Sequence, residues 1–573
     1  MINDLRLKNK SFLFLILVIL FTIPSFFSII RPGFFPMQDD IQAFRVHQMN
    51  KCIQDLQIPC RWVPDAGYGY GYPLFQYYPP SVYYIGDIFH LIGFSFIDSV
   101  KILFILGFIF SALTMFIFLR VLVGDFPALV GSILYTYAPY KAVDVYVRGA
   151  LSEFWAFVFF PLIFWSSYQL IKTNKLKYLS FLALSLGLLL ITHNLMSIIF
   201  IPILAVWILY WLLIAKKNKV IFKVIIGGLL GIGFASFFSL PVLFEKQYAH
   251  VETLLGGYFD YRQHFVDLYQ LFVSNHFGYG SSYIGTGDDL ALTTGIVHWL
   301  IGLLSIILAI KNINKFKTLS LMTLVLAVAL LGSLFLTHQK SSFIWDKIVV
   351  LSWLQFPWRM LADSVFLLST MGAIALFFLR QEDFVKKLNI SLIVSSIVII
   401  SLFILHFNFF IPKQWFFISD QDKFSGKSWD KQLTISIFDY LPIYAKYPPV
   451  TKAPNVPEVL KGKVDFLSYH KGSNYQIGKI NVISDARLRL PLFDYPNMQV
   501  TIDNKDVNFT HNDCSKEDFC LGLISFDVPT GQHIIKARLT NTLIRTIGNT
   551  LSIISLVVIA YFFWKGDKYD RNT

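Results

Sequence analysis

Two adjacent carboxylates, Asp39 and Asp40, stand in the run RPGFFPMQDDIQAFRVHQMNKCIQD, a few residues past the first long apolar segment. A carboxylate at a membrane surface can take the proton from an attacking hydroxyl, or it can simply cap a helix. A helix is expected from Ile41 to about Gln54, and capping its N-terminus occupies one of the two acids. Asp39 is the better placed cap, which leaves Asp40 as the favoured base.

Further ionisable groups recur beside apolar runs. YKAVDVYVRGALSE, at 140–153, sets Asp144 and Arg148 at i, i+4, with Glu153 at the mouth of the next apolar segment. Such groups are expensive at membrane depth and are usually functional, and an Arg can hold a phosphate through a bidentate fork. The plainer reading is a local Asp–Arg pair. ITHNLMS places His193 and Asn194 in a tight turn between two apolar helices, where turn chemistry alone accounts for Asn. LSWLQFPWRMLADSVF, at 351–366, carries Arg359 one turn into an apolar run, with Asp363 four residues on. An anion site and an intrahelical pair or snorkelling Arg both fit.

Two stretches hold fewer clues. WVPDAGYGYGYPLFQYYPP, at 62–80, supplies aromatic faces and phenol hydroxyls suited to sugars or lipid head groups, or to an aromatic belt at the membrane surface. Glu245, Glu252, Asp260, His264, Asp267 and His276 are scattered among aromatics at no metal-ligand spacing and read as a mostly solvated loop.

The elements that must position these groups follow from composition. The 573 residues are 55% hydrophobic and 15% charged, with 57 Phe and a mean hydropathy of +0.57. Soluble chains carry roughly 25% charge, so the composition excludes a disordered chain, a coiled coil and a cytosolic enzyme. The net charge of +13 lies in short clusters between apolar runs, which argues against nucleic acid. Runs close to the roughly 20 residues needed to cross a bilayer fall at about 11–30, 99–120, 126–140, 151–171, 178–192, 195–215, 220–241, 293–310, 318–337, 358–380, 388–410 and 544–564.

Lys and Arg then orient the chain. The clusters at 6–10, 172–177, 216–223, 311–317, 380–387 and 565–571 share one side, the cytoplasm, only if twelve spans are counted and residues 81–96 do not cross, which leaves the stretch PPSVYYIGDIFHLIGF on the outer face; a thirteenth span there would put the later basic loops outside. Cys52, Cys60, Cys514 and Cys520 then all lie outside, each pair close enough in sequence for a local disulfide. No His or further Cys at ligand spacing accompanies either pair, so no metal site is assigned.

The expected architecture is a polytopic α-helical membrane protein of the plasma membrane, with both termini cytoplasmic. Residues 1–411 form the membrane domain, with outer loops at 31–98 and 242–292. Residues 412–543 form an extracytoplasmic β-domain, and 544–573 a final span and tail. LTISIFDYLPIYA, ARLRLPLF, MQVTID and LISFDVPTGQHIIKARL alternate apolar and polar residues between turns, as in an antiparallel β-sandwich.

MQDD after the first span, VRGALSEFWAFVFFPL, THN and LQFPWRML resemble the large bacterial membrane proteins named 6-pyruvoyl-tetrahydropterin synthase-related, and more distantly the YfhO-like proteins. DYLPIYA and DYPNMQVTIDNKDV extend the likeness into the β-domain. No His cluster here fits the zinc of a pterin synthase. The chain also resembles the GT-C membrane glycosyltransferases, whose long first outer loop begins with an acidic residue and which take sugars from polyprenyl-phosphate donors. That resemblance implies a glycosyltransferase at the outer membrane face, with Asp39 or Asp40 at the catalytic carboxylate position. It implies Arg148 and Arg359 on the donor phosphate, Asp144 and Glu153 orienting them or touching sugar, and His193 and Asn194 among the substrate-binding residues in a ligand-contacting turn. The expected partners are a lipid-linked sugar, a glycan or protein acceptor and membrane lipids, and a divalent ion is an open addition. The alternatives are a flippase or transporter for lipid-linked glycans, which needs no acidic base, and a structural membrane protein displaying a β-domain.

Overall fold

The computed structural model describes residues 2–217, 219–274, 276–283, 290–381, 389–511, 514 and 519–571. Lys386 and Lys387, two of the orienting cations, lie outside the described residues. Each of the twelve expected segments is helical over most of its length. Without water, a backbone in hydrocarbon must bond to itself, and an uninterrupted apolar run does so as a helix. Among the described residues, eight helices are long and apolar enough to span a membrane. Leu176–Thr192 and Ile296–Lys311 are shorter apolar helices, and Asp125–Thr136 has 12 residues. The chain is a polytopic membrane protein.

The expected straight span at 220–241 is instead two helices, Val220–Phe234 and Ser236–Phe244, bent by 73° at Ala235. The break has local chemistry. Ser236 Oγ donates back to Ile232 O, which bends helices, and the Phe237 amide finds Ser552 Oγ on the last helix at 2.8 Å. Residues 79–94 contain the helix Ser81–Leu91 of 11 residues. At about 1.5 Å per residue it covers only half the hydrocarbon. It leaves Ile88, Leu91, Ile92 and Phe94 exposed, a face suited to lipid.

At the end of the bundle where the long loops emerge lies a β-rich region. Its strands are β1 Glu458–Lys471, β2 Tyr475–Phe493, β3 Met498–Ile502, β4 Lys505–Asp506, β5 Leu523–Val528 and β6 Gly531–Leu539. All pairings are antiparallel, in the order β1-β2-β6-β3-β4, with β5 also on β2. The long β2 changes partner midway, pairing β6 over 475–482 and β5 over 486–493. One continuous sheet thus encloses Ile480, Leu488, Val500, Phe526 and Ile535.

LTISIFDYLPIYA is not a strand. Its alternation coexists with a four-residue spacing, and the residues that become buried are Leu433, Ile437, Leu441 and Ala445. Ser436 takes a positive φ of 56°, and no ladder forms. Trp62, Tyr70 and Tyr77 of the aromatic stretch pack into the β-region core; they are framework, not a membrane belt. Cys52–Cys60 and Cys514–Cys520 are disulfide-bonded.

Candidate functional site

The site is assembled from three loops at one end of the bundle. Residues 37–42 lie against 147–149: Gln38 N donates to Val147 O at 2.9 Å, Asp39 N to Arg148 O at 2.8 Å, and Gln42 Nε2 to Gly149 O at 2.8 Å. Gly149 has φ +65°, and a Cβ there would fall 2.1 Å from Met37 Sδ, so only glycine permits this approach. Just before it, Asp144–Arg148 forms a wide π turn, a distortion that concentrates at functional sites.

Arg148, Glu153 and Arg359 form a chain of charges. Arg148 pairs with Asp144 through Nη1 and donates through Nη2 to Glu153 Oε2 at 2.9 Å. Arg359 Nε reaches the same oxygen at 3.2 Å, and its Nη1 donates to Leu354 O and Gln355. Tyr140 donates to Glu153 Oε1 at 2.5 Å. Trp358 lies 4.5 Å beneath the Arg148 guanidinium, and Phe356 5.0 Å from that of Arg359. Rings and carboxylates together fix both planar forks. Asp144 and Glu153 therefore orient the arginines, while Asp144 Oδ2 is buried without a hydrogen-bond partner among the described residues.

His193 sits at the edge of this group. Its Nδ1 accepts the Met196 amide, capping Asn194–Ala215, and Nε2 is 4.0 Å from Glu153 Oε2. The side-chain hydrogen bond of Asn194 stays in its own turn, to Leu195 N. Asp363 is buried with an unpartnered oxygen, so the intrahelical pair with Arg359 does not form.

The two adjacent carboxylates differ. The helix Gln42–Gln54 has Ile41 at its N-cap and no side-chain cap, so the reason for favouring Asp40 disappears. Asp40 is engaged by Lys423, a buried lysine. Asp39 is open to solvent, and among the described residues its carboxylate has no hydrogen-bond partner. Protein nonetheless crowds the carboxyl. Burial raises its pKa above the ordinary value; Arg45, Arg148 and Arg359 oppose that rise and Glu153 adds to it. Arg45 itself donates to Tyr83 Oη at 3.2 Å and lies 3.8 Å over Tyr78.

Two functional neighbours escaped the sequence reading. Asp439 comes from the segment mistaken for a strand, and its pKa is pushed up to about 6 by burial, with Asp39 adding and Ser436 and Arg45 opposing. The visible signal was a carboxylate flanked by Phe438 and Tyr440. Lys423 follows Asp420, whose carboxylate accepts the Phe96 and Ile97 amides at 2.8 and 3.0 Å and so caps the second long helix. Nor is the second loop merely solvated: Glu245 and His264 are fully buried. Among the described residues no three His, Cys, Asp or Glu side chains group to hold a metal ion.

No family model matches the chain. A protein of Lactococcus lactis subsp. cremoris (strain MG1363), with no assigned activity, is 26% identical over 249 residues, 41% of this chain and 40% of that one. The apo oligosaccharyltransferase of Archaeoglobus fulgidus has a TM-score of 0.42 at 12% identity, over 70% of this chain and 56% of that one. The same enzyme with an inhibitory peptide and a dolichol-phosphate has 0.43 at 11%, over 71% and 56%. The arabinofuranosyltransferase AftD from Mycobacteria has 0.43 at 13%, over 72% and 28%. The chain spans well under two thirds of each of these proteins.

Proposed function

We propose that the chain is a membrane glycosyltransferase of the GT-C type. It would move a sugar from a polyprenyl-phosphate donor to an acceptor at the membrane face bearing the β-region, which we take as the outer face, with both termini cytoplasmic. The reading rests on one observation: Asp39, a carboxylate open to solvent, lies within the electrostatic influence of Arg45, Arg148 and Arg359. The acceptor oxygen attacks the anomeric carbon, and its proton passes to Asp39. The bond from that carbon to the phosphate oxygen breaks, its electron pair staying on the phosphate. Arg148 and Arg359 stabilise the charge released there, with Glu153 and Asp144 holding their forks in place. Asp40, neutralised by Lys423, fixes the loop rather than taking the proton.

Asp39→Asn keeps shape and removes proton acceptance. Loss of a general base costs roughly 100- to 10,000-fold, so transfer from a purified lipid-phosphate donor should fall by that range while donor binding persists. Asp40→Asn should cost far less. Transfer by Asp39→Asn at the wild-type rate would overturn the mechanism, and donor binding without transfer in the wild type would favour a transporter.

A further inference from the structure

We infer that Phe438, Asp439 and Tyr440 form, with Tyr78, the subsite that holds the acceptor, and that this acceptor is a carbohydrate rather than a peptide. The inference rests on the glycosyltransferase reading for the word acceptor, but the binding site stands on its own geometry.

The segment that carries these residues is held in place from outside itself. Tyr72 Oη donates to Ser436 O at 2.9 Å and accepts the Tyr440 amide at 2.5 Å. The Leu441 carbonyl accepts the His250 amide at 2.9 Å, and Thr253 Oγ1 donates to Phe438 O at 2.9 Å. Two loops thus clamp one irregular turn, a costly arrangement for a mere connection. The Tyr440 ring rests on Tyr77 and Tyr72, with centroids 5.4 and 6.2 Å away.

The clamp presents a particular set of groups. Phe438 is 57% exposed, while Asp439, Tyr440 and Tyr78 are half-buried. Tyr78 carries Arg45 over one face. Sugars present apolar C–H faces beside hydroxyl donors, and aromatic faces around a carboxylate match both. A peptide in extended form would instead seek an unpaired strand edge, and this turn offers none. Arg45, stacked on Tyr78, acts on both Asp439 and Asp39, so the turn lies beside the open carboxylate.

The ionisation of Asp439 gives the test a second readout. With its pKa pushed up to about 6, the carboxylate is charged above that pH and protonates below it. A charged acceptor makes the stronger hydrogen bond, so sugar binding should weaken as pH falls through about 6.

The probe is an array of defined oligosaccharides and an array of unmodified peptides, read with the full chain in nanodiscs at pH 7.5 and pH 5. The wild type should bind a carbohydrate class and no peptide. Asp439→Asn should weaken that binding roughly tenfold or more and remove its pH dependence, and Asp439→Glu should restore part of both. Phe438→Ala, a change at an exposed side chain, should weaken binding in a protein that remains folded. Binding of peptides, of neither class, or of sugars equally by Asp439→Asn and the wild type would overturn the inference. Failure of the transfer reading would show instead as an active Asp39→Asn, so the two can fail separately.

Discussion

Two clusters of buried arginine and carboxylate lie where the loops meet the helix ends, and they are finished differently. Around Glu245 the carboxylate is fully engaged, although among the described residues Arg545 Nη2 and Arg61 Nε are buried without hydrogen-bond partners. The Glu245 carboxylate accepts Gln76 Nε2 at 2.6 Å, Arg545 Nε at 2.8 Å and Thr542 Oγ1 at 2.5 Å, and its carbonyl accepts Tyr77 Oη at 2.7 Å. Arg61 bonds Gln76 Oε1, Phe237 O and Asn549 Oδ1. The result ties the first loop, the bent helix pair and the last helix to the β-region. Around Glu153 the arginines are equally well held, yet the neighbouring Asp39 stays open to solvent. A joint gains by engaging its carboxylate fully, since a buried one left bare costs stability. A binding site has to keep capacity for something that arrives later. The difference separates two sets of residues that look alike in sequence.

The largest effects should come from breaking the joint. Removing one partner from a buried ion pair leaves the other uncompensated, at a cost of about 3–5 kcal/mol. Arg545→Met alone, or Glu245→Leu alone, should lower the thermal midpoint of the purified protein sharply. The double variant should recover part of the loss, because the ion pair is then removed whole, while Arg61 still loses the opposite charge of Glu245. Asp39→Asn, at an open and unpaired position, should shift stability by no more than about 0.5 kcal/mol while removing transfer. A large stability loss in Asp39→Asn would erase the distinction between the two clusters.

How much of this was legible in the sequence depended on the range over which each signal acts. Apolar runs report their own burial, so the helices could be read one by one. Asp144, Arg148 and Glu153 lie within ten residues of each other, and their grouping was visible too. Glu245 was not, because its partner Arg545 is 300 residues away. The available hint was an arginine early in the final apolar run, the pattern that made Arg359 conspicuous. Asp40 was favoured over Asp39 from a capping rule, and the decisive contact, with Lys423 at a separation of 383 residues, is one no local rule contains. Asp439 was hidden by an alternation that looked like a strand, although Ser436 and Pro442 supplied means to end one.

Intermediate effects should come from the arginines. Arg148→Lys and Arg359→Lys keep the charge and lose the fork. Hydrogen bonds to charged groups contribute about 1.5–3 kcal/mol, so either change should weaken donor binding by roughly ten- to a hundredfold, with little loss of stability. Arg45→Gln probes the open acid directly. Asp39 must be ionised to accept a proton, so activity rises with pH through its pKa. Burial raises that pKa and Arg45 is first among the groups opposing the rise; without it the pKa climbs further. The acid limb of the kcat/KM profile should therefore move to higher pH. An unmoved limb would place Asp39 outside the influence of Arg45 during the reaction.

The smallest effect is expected at Asn194, and it sharpens the boundary of the site. His193 and Asn194 are neighbours in sequence, and both suggested a ligand-contacting turn. The structure brings only His193 to Glu153, at 4.0 Å. Asn194 occupies the first turn of Asn194–Ala215, and its side chain bonds no further than the Leu195 amide. The cap of that helix is already supplied by His193 Nδ1, so of the first-turn amides only that of Leu195 depends on Asn194. Alanine is the better helix former, and Asn194→Ala should leave stability within about 0.5 kcal/mol of the wild type. Transfer and donor binding should be unchanged. His193→Ala, by contrast, removes both the cap and the neighbour of Glu153, and should lower stability by about 1 kcal/mol together with some activity. A loss of transfer in Asn194→Ala comparable to that in Arg359→Lys would extend the site beyond the charges gathered around Glu153, into the turn itself.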